Sequence, residues 1–428
     1  MSSSSSSSSA CALYAELLVN IRQISIAASL DSPSDASTQV SLSADGRTVH
    51  LAHRGQTSRL ILPGKAALGG TLLPVQDRQK GTASLSWRLA ADGAALPPSQ
   101  RQAAVEDVPW SATDLAPTSG VACRHCGADV VPGGSVKAWK DLPSENWAEM
   151  MEFWHCHKPD HHHHPHHDGN GNSKDSAKAD EKSLASRGYG ASSAIQAQKG
   201  VGFVDLTSLL FAETDCRNLT FSWSSHAQGA SESQALVASA SSGGPSRNPN
   251  VFCSSCHAQL GLFNVRASAV TLLKWQVLCR SASGSVPTAP ECLAASLIAS
   301  AARSGSSKSL VTPLPDAARG DPGKGAETDA LHIWMLNSGI VFSSSGVPRC
   351  VPAIKLLFRA VSVEEADKML AGLTCDSHEI SLPGGTIRQI LQHLQESTTL
   401  LPPGERTFQG WNVGLLSKWN VDGPSATN

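Results

Sequence analysis

Charged and aromatic side chains are scarce in this sequence of 428 residues. Asp, Glu, Lys and Arg make up only 16% of it, against roughly 25% in ordinary soluble domains, and Phe, Trp and Tyr make up 5%. The 34 basic residues are balanced by 36 acidic ones, which gives a formal net charge of −2. Because binding to nucleic-acid phosphates needs clustered basic charge, this balance argues against a direct nucleic-acid partner.

Long apolar runs are also missing. No stretch approaches the roughly 18 to 20 consecutive apolar residues that cross a bilayer. Met1 leads into a run of serines at 2–9 and not into the basic and apolar segments of a signal peptide. We therefore expect an intracellular protein without a membrane partner, in the cytoplasm, the nucleus or both. In a reducing compartment, the 11 cysteines indicate metal binding or catalysis in preference to disulfides.

Composition and hydrophobic periodicity predict an α+β fold with disordered insertions. We expect an N-terminal antiparallel β unit, a middle region held together by zinc, and a mixed α+β C-terminal region. The zinc is bound by two Cys-x-x-Cys turns, called zinc knuckles, at 123–126 and 253–256. Ser-, Gly- and His-rich composition predicts the insertions at about 160–193 and 228–250. The predicted boundaries are 1–10 for a disordered serine tract, 11–117 for the β-rich region, 118–265 for the zinc-knuckle region and 266–428 for the C-terminal region.

Several elements are predicted from local patterns. The apolar residues from Leu17 to Ile26 alternate as they would in a strand. Ser362 and Glu365 have the form of a capping box and predict a helix that runs to Leu370. Further strands are predicted over 39–42, 48–51, 59–62, 84–89, 269–278, 331–336, 350–361 and 410–416, and further helices over 291–302 and 386–396.

Two Cys-x-x-Cys pairs are the firmest chemical signal, Cys123 with Cys126 and Cys253 with Cys256. Each pair directs two thiolates at one ion, and two such pairs complete a tetrahedral zinc site. Gly127 suits the first turn, since the residue after the second thiolate often needs a positive φ. More than a hundred residues separate the pairs, so their spacing does not show that they meet. Either they share one ion, or they are two unrelated pairs of buried thiols. We predict one structural zinc without an open coordination position.

A second segment, 142–157, combines a predicted helix with a cysteine. Ser144 is a suitable N-cap, and Trp147, Met150, Met151 and Trp154 recur at helical spacing. Cys156 follows the helix, and it is either a presented ligand or nucleophile, or a packed thiol. For the tryptophans, packing in the core is the favoured interpretation of this spacing.

Two further motifs carry weaker signals. The His-rich run 161–167 will bind transition metals, but imidazole density alone does not define a site, and we interpret it as an incidental loop expansion. Cys375 follows Thr374 and precedes a Leu-Pro pair. This context resembles the catalytic cysteine of HECT ubiquitin ligases but lacks the Asn and the aromatic flank of that pattern, so coincidence is the favoured interpretation.

Four parts of the chain together resemble a known family. They are the segments 142–147 with 154–158, both knuckles, the strand 331–337 and the ending 408–416. They are similar to the HECT-like ubiquitin-conjugating-enzyme-binding family, whose animal members are named as E3 ubiquitin-protein ligases. The resemblance implies a protein that binds a ubiquitin-conjugating enzyme (E2) and cyclin B and promotes transfer of ubiquitin, including onto itself. The partner-binding residues that it implies are Leu142, Pro143, Glu145, Asn146, Trp147, Trp154, His155, Cys156 and His157.

The resemblance also implies an association with the zinc-dependent endonuclease of pre-mRNA 3′-end processing. In that setting the segment 154–157 is similar to a motif that inserts a cysteine toward the nuclease metal, a role that suits a soft thiolate ligand.

Two functional hypotheses result. In the first, an E3-type enzyme accepts ubiquitin as a thioester on Cys156, whose flanking His155 and His157 favour the thiolate, with Cys375 as the runner-up. In the second, the chain is a non-catalytic binding or assembly factor that presents Cys156 to the metal of its partner. The absence of a full bilobed HECT domain puts direct catalysis in doubt. The resemblance, which spans most of the chain, implies the function of an E3 ligase.

Overall fold

The computed structural model describes residues 11–75, 80–92, 108–142, 197–224, 248–280, 284–314, 330–372 and 376–420. These residues form two compact units. The first contains the described residues of 11–109, 289–314 and 330–420, and the second contains those of 110–288. No helix in the described part of the chain is long and apolar enough to span a membrane.

A nine-stranded sheet is the basis of the first unit. Its strands are β1 (Ala12–Leu18), β2 (Gln23–Ser29), β7 (Ser84–Ala90), β18 (Lys308–Pro313), β19 (Ala330–Ser344), β20 (Val347–Val361), β21 (Ser377–Leu382), β22 (Thr407–Phe408) and β23 (Trp411–Ser417). The main path runs β22-β23-β20-β19-β1-β2-β7. β18 pairs with the first half of β19 and, in parallel, with β21.

The N-terminal strands and the C-terminal strands of this unit share one sheet. β1 pairs with β2 on one side and with β19 on the other, where Leu18 lies opposite Ile340. Beside it lies a four-stranded sheet of β3 (Gln39–Leu42), β4 (Thr48–His53), β5 (Gln56–Ile61) and β6 (Leu72–Leu73). Alternate residues of these strands, such as Val49 and Leu51, are buried in a core shared with β1 and β2.

The stretch from Leu17 to Ile26 differs from the prediction of a single strand. A 3-10 turn at Val19–Ile21 interrupts it, and Arg22 takes a left-handed conformation with φ of 52°. The chain therefore reverses direction, and β1 and β2 form a hairpin. The apolar alternation continues through the turn, which is why the pattern alone does not reveal the break.

Three helices of the described residues belong to the first unit: α1 (Ala289–Ser304), α2 (Val363–Leu370) and α3 (Gly384–Thr399). The Ser362 side chain accepts a hydrogen bond from the Glu365 N–H at 3.1 Å, which confirms the predicted N-cap of α2. α3 buries Ile390 and Leu394 on one face. Gly414 of β23 lets this face approach closely, since a Cβ there would lie 2.9 Å from the Leu394 side chain.

The second unit contains a seven-stranded sheet, ordered β10-β11-β12-β16-β15-β14-β13, and a three-stranded sheet, ordered β17-β8-β9. The strands are β8 (Val121–Cys123), β9 (Asp129–Val131), β10 (Ala138–Asp141), β11 (Val201–Val204), β12 (Ser208–Ala212), β13 (Leu219–Ser222), β14 (Asn250–Cys253), β15 (Gln259–Asn264), β16 (Ala269–Leu273) and β17 (Val277–Cys279). Phe211 and Phe263 are fully buried in this unit. The chain as described is thus mostly β with three helices, and the predicted α+β class is confirmed.

Candidate metal centre

The two cysteine pairs lie at the tips of two similar hairpins. Cys123 ends β8 and the first pair leads into β9, while Cys253 ends β14 and the second pair leads into β15. In each turn the residue after the second cysteine donates its N–H to the carbonyl of the first cysteine at 2.9 Å. That residue is Gly127 with φ of 75° in one turn and His257 with φ of 60° in the other. The two turns therefore share one backbone conformation.

The fold brings the four thiols of these turns together. The Sγ atoms of Cys123 and Cys256 lie 3.7 Å apart, and those of Cys126 and Cys253 lie 3.6 Å apart. All four Sγ atoms are within 4.8 Å of one another. Cys123 and Cys253 are buried, whereas Cys126 is exposed. The two predicted knuckles thus meet in space, and their four thiols could hold one metal ion.

A third strand supports each hairpin in the same way. β17 lies beside β8 with Val277 opposite Cys123, and the Arg124 N–H donates to the Gln276 carbonyl at 3.0 Å. β13 lies beside β14 with Leu219 opposite Cys253. The residue after Cys253, Ser254, likewise donates its N–H to the carbonyl that precedes the supporting strand, that of Asn218, at 2.9 Å.

The supporting strands are exchanged between two similar halves. β12 leads through the 3-10 helix Glu213–Asp215 to β13, and β16 leads through the 3-10 helix Lys274–Gln276 to β17. β12 and β16 pair antiparallel about Leu210 and Thr271. The half that follows the first knuckle supports the second knuckle, and the half that follows the second knuckle supports the first. Neither cysteine pair is therefore fully supported by its own half.

The local environment separates the acidities of these thiols. Burial raises the pKa of Cys123 and raises that of Cys256 to about 12. Burial also acts to raise the pKa of Cys253, but hydrogen bonds from the backbone N–H groups of Cys256 and Ser255 and from the Cys126 thiol outweigh it and lower the pKa to about 7. Cys253 is thus the readiest thiolate of these three, and a bound cation would favour ionisation of all four cysteines.

The predicted partner-binding segment is described only at its first residue. Leu142 follows β10, is half-buried, and donates its N–H to the Val204 carbonyl at 2.7 Å. Outside the described residues lie Cys375, the run 161–167, and the remaining predicted partner-binding residues Pro143, Glu145, Asn146, Trp147, Trp154, His155, Cys156 and His157.

Five of the nine described cysteines lie outside the four-thiol cluster. Cys11 and Cys292 are buried. Burial raises the pKa of Cys216 to about 12, with the carboxylates of Asp215 and Glu213 adding to the effect. Burial also raises the pKa of Cys279 to about 12 and that of Cys350 less far. A nucleophilic thiol needs a lowered pKa and access to solvent, so none of these five suits thioester exchange.

Two of the family-like segments meet on the sheet of the first unit. His332 of β19 and Trp411 of β23 contact edge to face with ring centroids 4.7 Å apart. The Arg359 guanidinium of β20 lies 4.7 Å from the Trp411 ring centre, and its Nη2 lies 3.3 Å from His332 Nδ1. These residues are far apart in the sequence, and no motif connects them. The available sequence signal was that His332 and Trp334 are two residues apart in an apolar strand. Residues at this spacing lie on the same face of a sheet.

Comparison with known proteins identifies the family. The family described as "HECT-like Ubiquitin-conjugating enzyme (E2)-binding" matches residues 16–413. The match covers nearly the whole chain, and this protein belongs to that family, as the resemblance predicted. E2 binding is accordingly its family-level property.

Two fungal relatives are similar to the chain. A protein of Saccharomyces cerevisiae, described as uncharacterized, is 22% identical over 310 residues, which are 72% of this chain and 72% of the yeast protein. A protein of Schizosaccharomyces pombe, also described as uncharacterized, is 44% identical over 54 residues, which are 12% of this chain and 15% of that protein. No solved structure matches.

Proposed function

We propose that this chain is an E3 ligase-like protein that binds a ubiquitin-conjugating enzyme and promotes the transfer of ubiquitin to proteins. The observation that carries the proposal is the family match over residues 16–413, since E2 binding is the property by which the family is described. Ubiquitin and cyclin B are the further partners that this proposal includes. It places the protein in the cytoplasm, the nucleus or both.

The chemistry of the cysteines restricts how such transfer proceeds. Four described cysteines belong to the candidate metal centre, and the other five are buried or have a raised pKa. A thioester acceptor, if the chain uses one, is therefore Cys156 or Cys375. Cys156 is the preferred candidate because His155 and His157 flank it.

The burial or raised pKa of the five described cysteines outside the cluster also supports a second candidate function, that of a non-catalytic assembly factor. A chain without an activated thiol still binds an E2 or another partner through the segment 142–157. In this function the partner is the zinc-dependent endonuclease of pre-mRNA 3′-end processing, and Cys156 is presented to the partner's metal as a soft ligand.

The metal of the four-cysteine cluster is proposed to be one structural zinc. Zinc–sulfur bonds are about 2.3 Å long, so tetrahedral sulfurs lie about 3.8 Å apart. The 3.6 Å and 3.7 Å separations across the two pairs fit this geometry. Four thiolates would leave no open position for a substrate, and the ion would serve to hold the two hairpins together.

The primary test is a ubiquitin-charging reaction with E1, E2 and labelled ubiquitin, analysed on a non-reducing gel. Wild type is compared with Cys156→Ala and Cys375→Ala, and Cys279→Ala is the matched control because its thiol has a raised pKa. We expect a thiol-sensitive adduct that disappears in Cys156→Ala and persists in the control. If wild type forms no adduct but still captures its partners, the assembly function replaces the enzyme function.

A binding assay tests the partner segment independently of catalysis. Asn146→Ala and Trp147→Ala are expected to weaken E2 capture, whereas Lys140→Ala, at an exposed position of β10, is the control. Equal capture by all variants would remove the segment 142–157 from the E2 interface.

A further inference from the structure

A short strap links the two hairpins of the candidate metal centre. It consists of Arg217 and Asn218, just before β13. The Arg217 N–H donates to the Val130 carbonyl at 2.8 Å, and the Asn218 side-chain amide donates to the Asp129 carbonyl at 2.9 Å. Asp129 and Val130 belong to β9, the strand that follows the first cysteine pair. The strap is thereby attached to the first hairpin.

The strap is attached to the second hairpin as well. The Asn218 carbonyl accepts the N–H of Ser254, the residue after Cys253, at 2.9 Å. The next residue, Leu219, starts β13 and lies opposite Cys253. Asn218 thus contacts the first hairpin through its side chain and the second through its backbone.

The strap is the point at which the two halves of the unit differ. In the second half, Gln276 ends its 3-10 helix and Val277 starts β17 directly. In the first half, the residues 216–218 stand between the 3-10 helix and β13. This insertion supplies the backbone and side-chain hydrogen bonds that cross from the supporting strand to β9.

We propose that Asn218 is a positioning residue for the metal centre, and that the strap holds the two cysteine pairs in register before an ion binds. The inference rests on the proposed metal function. The two pairs belong to hairpins that are distant in the sequence. If the pairs are already aligned, metal binding has a smaller cost in conformational entropy. The ion then meets a site that is already arranged.

The conformation of Asn218 allows its side chain to be tested separately from the turn. Its φ of 55° is in the left-handed region, which Asn and Gly adopt readily. Asn218→Gly keeps that conformation accessible and removes the amide donor. Asn218→Asp keeps the size of the side chain and also lacks the donor. Ser268→Gly is the matched control, since Ser268 is exposed and has φ of 45° in the turn between β15 and β16.

Two readouts are used on the full-length chain. Zinc affinity is measured by competition with a chromophoric chelator. Independently, the metal-free protein is treated with diamide, and formation of the Cys126–Cys253 disulfide is timed by mass spectrometry, because those Sγ atoms lie 3.6 Å apart. The loss of one hydrogen bond corresponds to about a two- to tenfold change in an equilibrium constant. We expect Asn218→Gly and Asn218→Asp to weaken zinc binding by about this factor and to slow the cross-link.

The two readouts distinguish alignment by the strap from general loosening of the unit and from failure of the proposed metal function. The proposal is supported when both Asn218 variants change both readouts and Ser268→Gly changes neither. It is overturned when either Asn218 variant behaves as wild type in the cross-linking assay or, provided that wild type binds zinc, in the zinc assay. It is also overturned when Ser268→Gly shows the same losses, which would indicate general loosening of the unit. If wild type takes up no zinc, the proposed metal function fails, and the metal-free cross-linking rates still decide whether the strap aligns the pairs.

Discussion

The Sγ atoms of Cys126 and Cys253 lie 3.6 Å apart, although the two cysteines are 127 positions apart in the sequence. A metal ion bound between them would close that long loop with a single cross-link. Cross-links that close long loops restrict the unfolded chain most. A metal ion bound there should therefore stabilise the second unit by restricting its unfolded chain.

Removal of the proposed zinc is predicted to destabilise the protein. Binding to the folded state alone adds about 4 kcal/mol when free zinc exceeds its Kd about a thousandfold. We expect a strong zinc chelator to lower the thermal midpoint of wild type. Cys253→Ser should lack zinc by elemental analysis and show no further response to chelator, while Cys279→Ser should behave as wild type. A chelator-insensitive wild type would contradict a structural metal.

The two left-handed turn positions are predicted to respond differently to substitution. Gly127→Val places a β-branched residue at φ of 75°, and a left-handed conformation costs such a side chain roughly 1–2 kcal/mol or more. His257→Gly places at φ of 60° the residue type that adopts this conformation without steric cost. Urea unfolding should show a loss of stability in the first variant and none in the second. Equal losses in both would show that the His257 side chain, and not its backbone, matters.

A buried ion pair connects β1 to β20 in the first unit. The Lys355 Nζ lies 2.9 Å from Glu16 Oε2, and Tyr14 donates its hydroxyl to the same carboxylate oxygen at 2.8 Å. Lys355→Met leaves the buried Glu16 carboxylate without its cation, which costs about 3–5 kcal/mol at buried sites. Glu16→Gln leaves Lys355 with a second carboxylate, that of Glu405, at 3.8 Å. Lys355→Met should therefore destabilise strongly and Glu16→Gln less, and the double variant should recover part of the loss in a double-mutant cycle of urea midpoints. Strict additivity would show that the pair is not coupled.

Stability is predicted to fall at acidic pH in part through His332. Burial lowers the pKa of this imidazole, and the charges of Arg359 and Lys308 lower it further, while Asp376 and Glu365 oppose them. The unfolded chain, with a pKa of about 6.5, therefore binds the proton more tightly than the folded one. The contribution of His332 is complete above about pH 6.5 and is lost as the pH falls below that value.

The test of this pH dependence compares urea midpoints at neutral and acidic pH. His332→Gln should show a smaller decrease than wild type, and His50→Gln, at an exposed position of β4, should retain the full decrease. A wild-type decrease that persists unchanged in His332→Gln would assign it to other groups.

The sequence predicted the local parts of the metal centre and of the fold. Each cysteine pair and the conformation of Gly127 follow from spacing within a few residues, and so does the cap of α2 at Ser362. The meeting of the two pairs depends on hairpins that are far apart in the chain, and periodicity carries no information about such pairing. The structure supplied that relationship.

Other features gave no signal that a single sequence can show. The sequence gives no sign that Arg217 and Asn218 differ from ordinary exposed polar residues, because the strap acts through backbone groups, one side-chain amide and an exposed ion pair between Arg217 and Asp129. The break between β1 and β2 was hidden because apolar alternation continues through Val19–Ile21. Almost any residue type can make a backbone hydrogen bond, so such contacts leave no pattern in the sequence.

The placement of β1 in the interior of its sheet has a consequence for biosynthesis. β1 needs β19 as its neighbour, and the Leu13 N–H donates to the Ser345 hydroxyl across 332 positions of sequence. A ribosome therefore releases the first strand long before its partner exists. Until translation has passed β19, the β1–β2 hairpin presents an open edge, which is the kind of surface that chaperones shield and that associates wrongly between nascent chains. The sheet of the first unit is completed only after most of the polypeptide has been made.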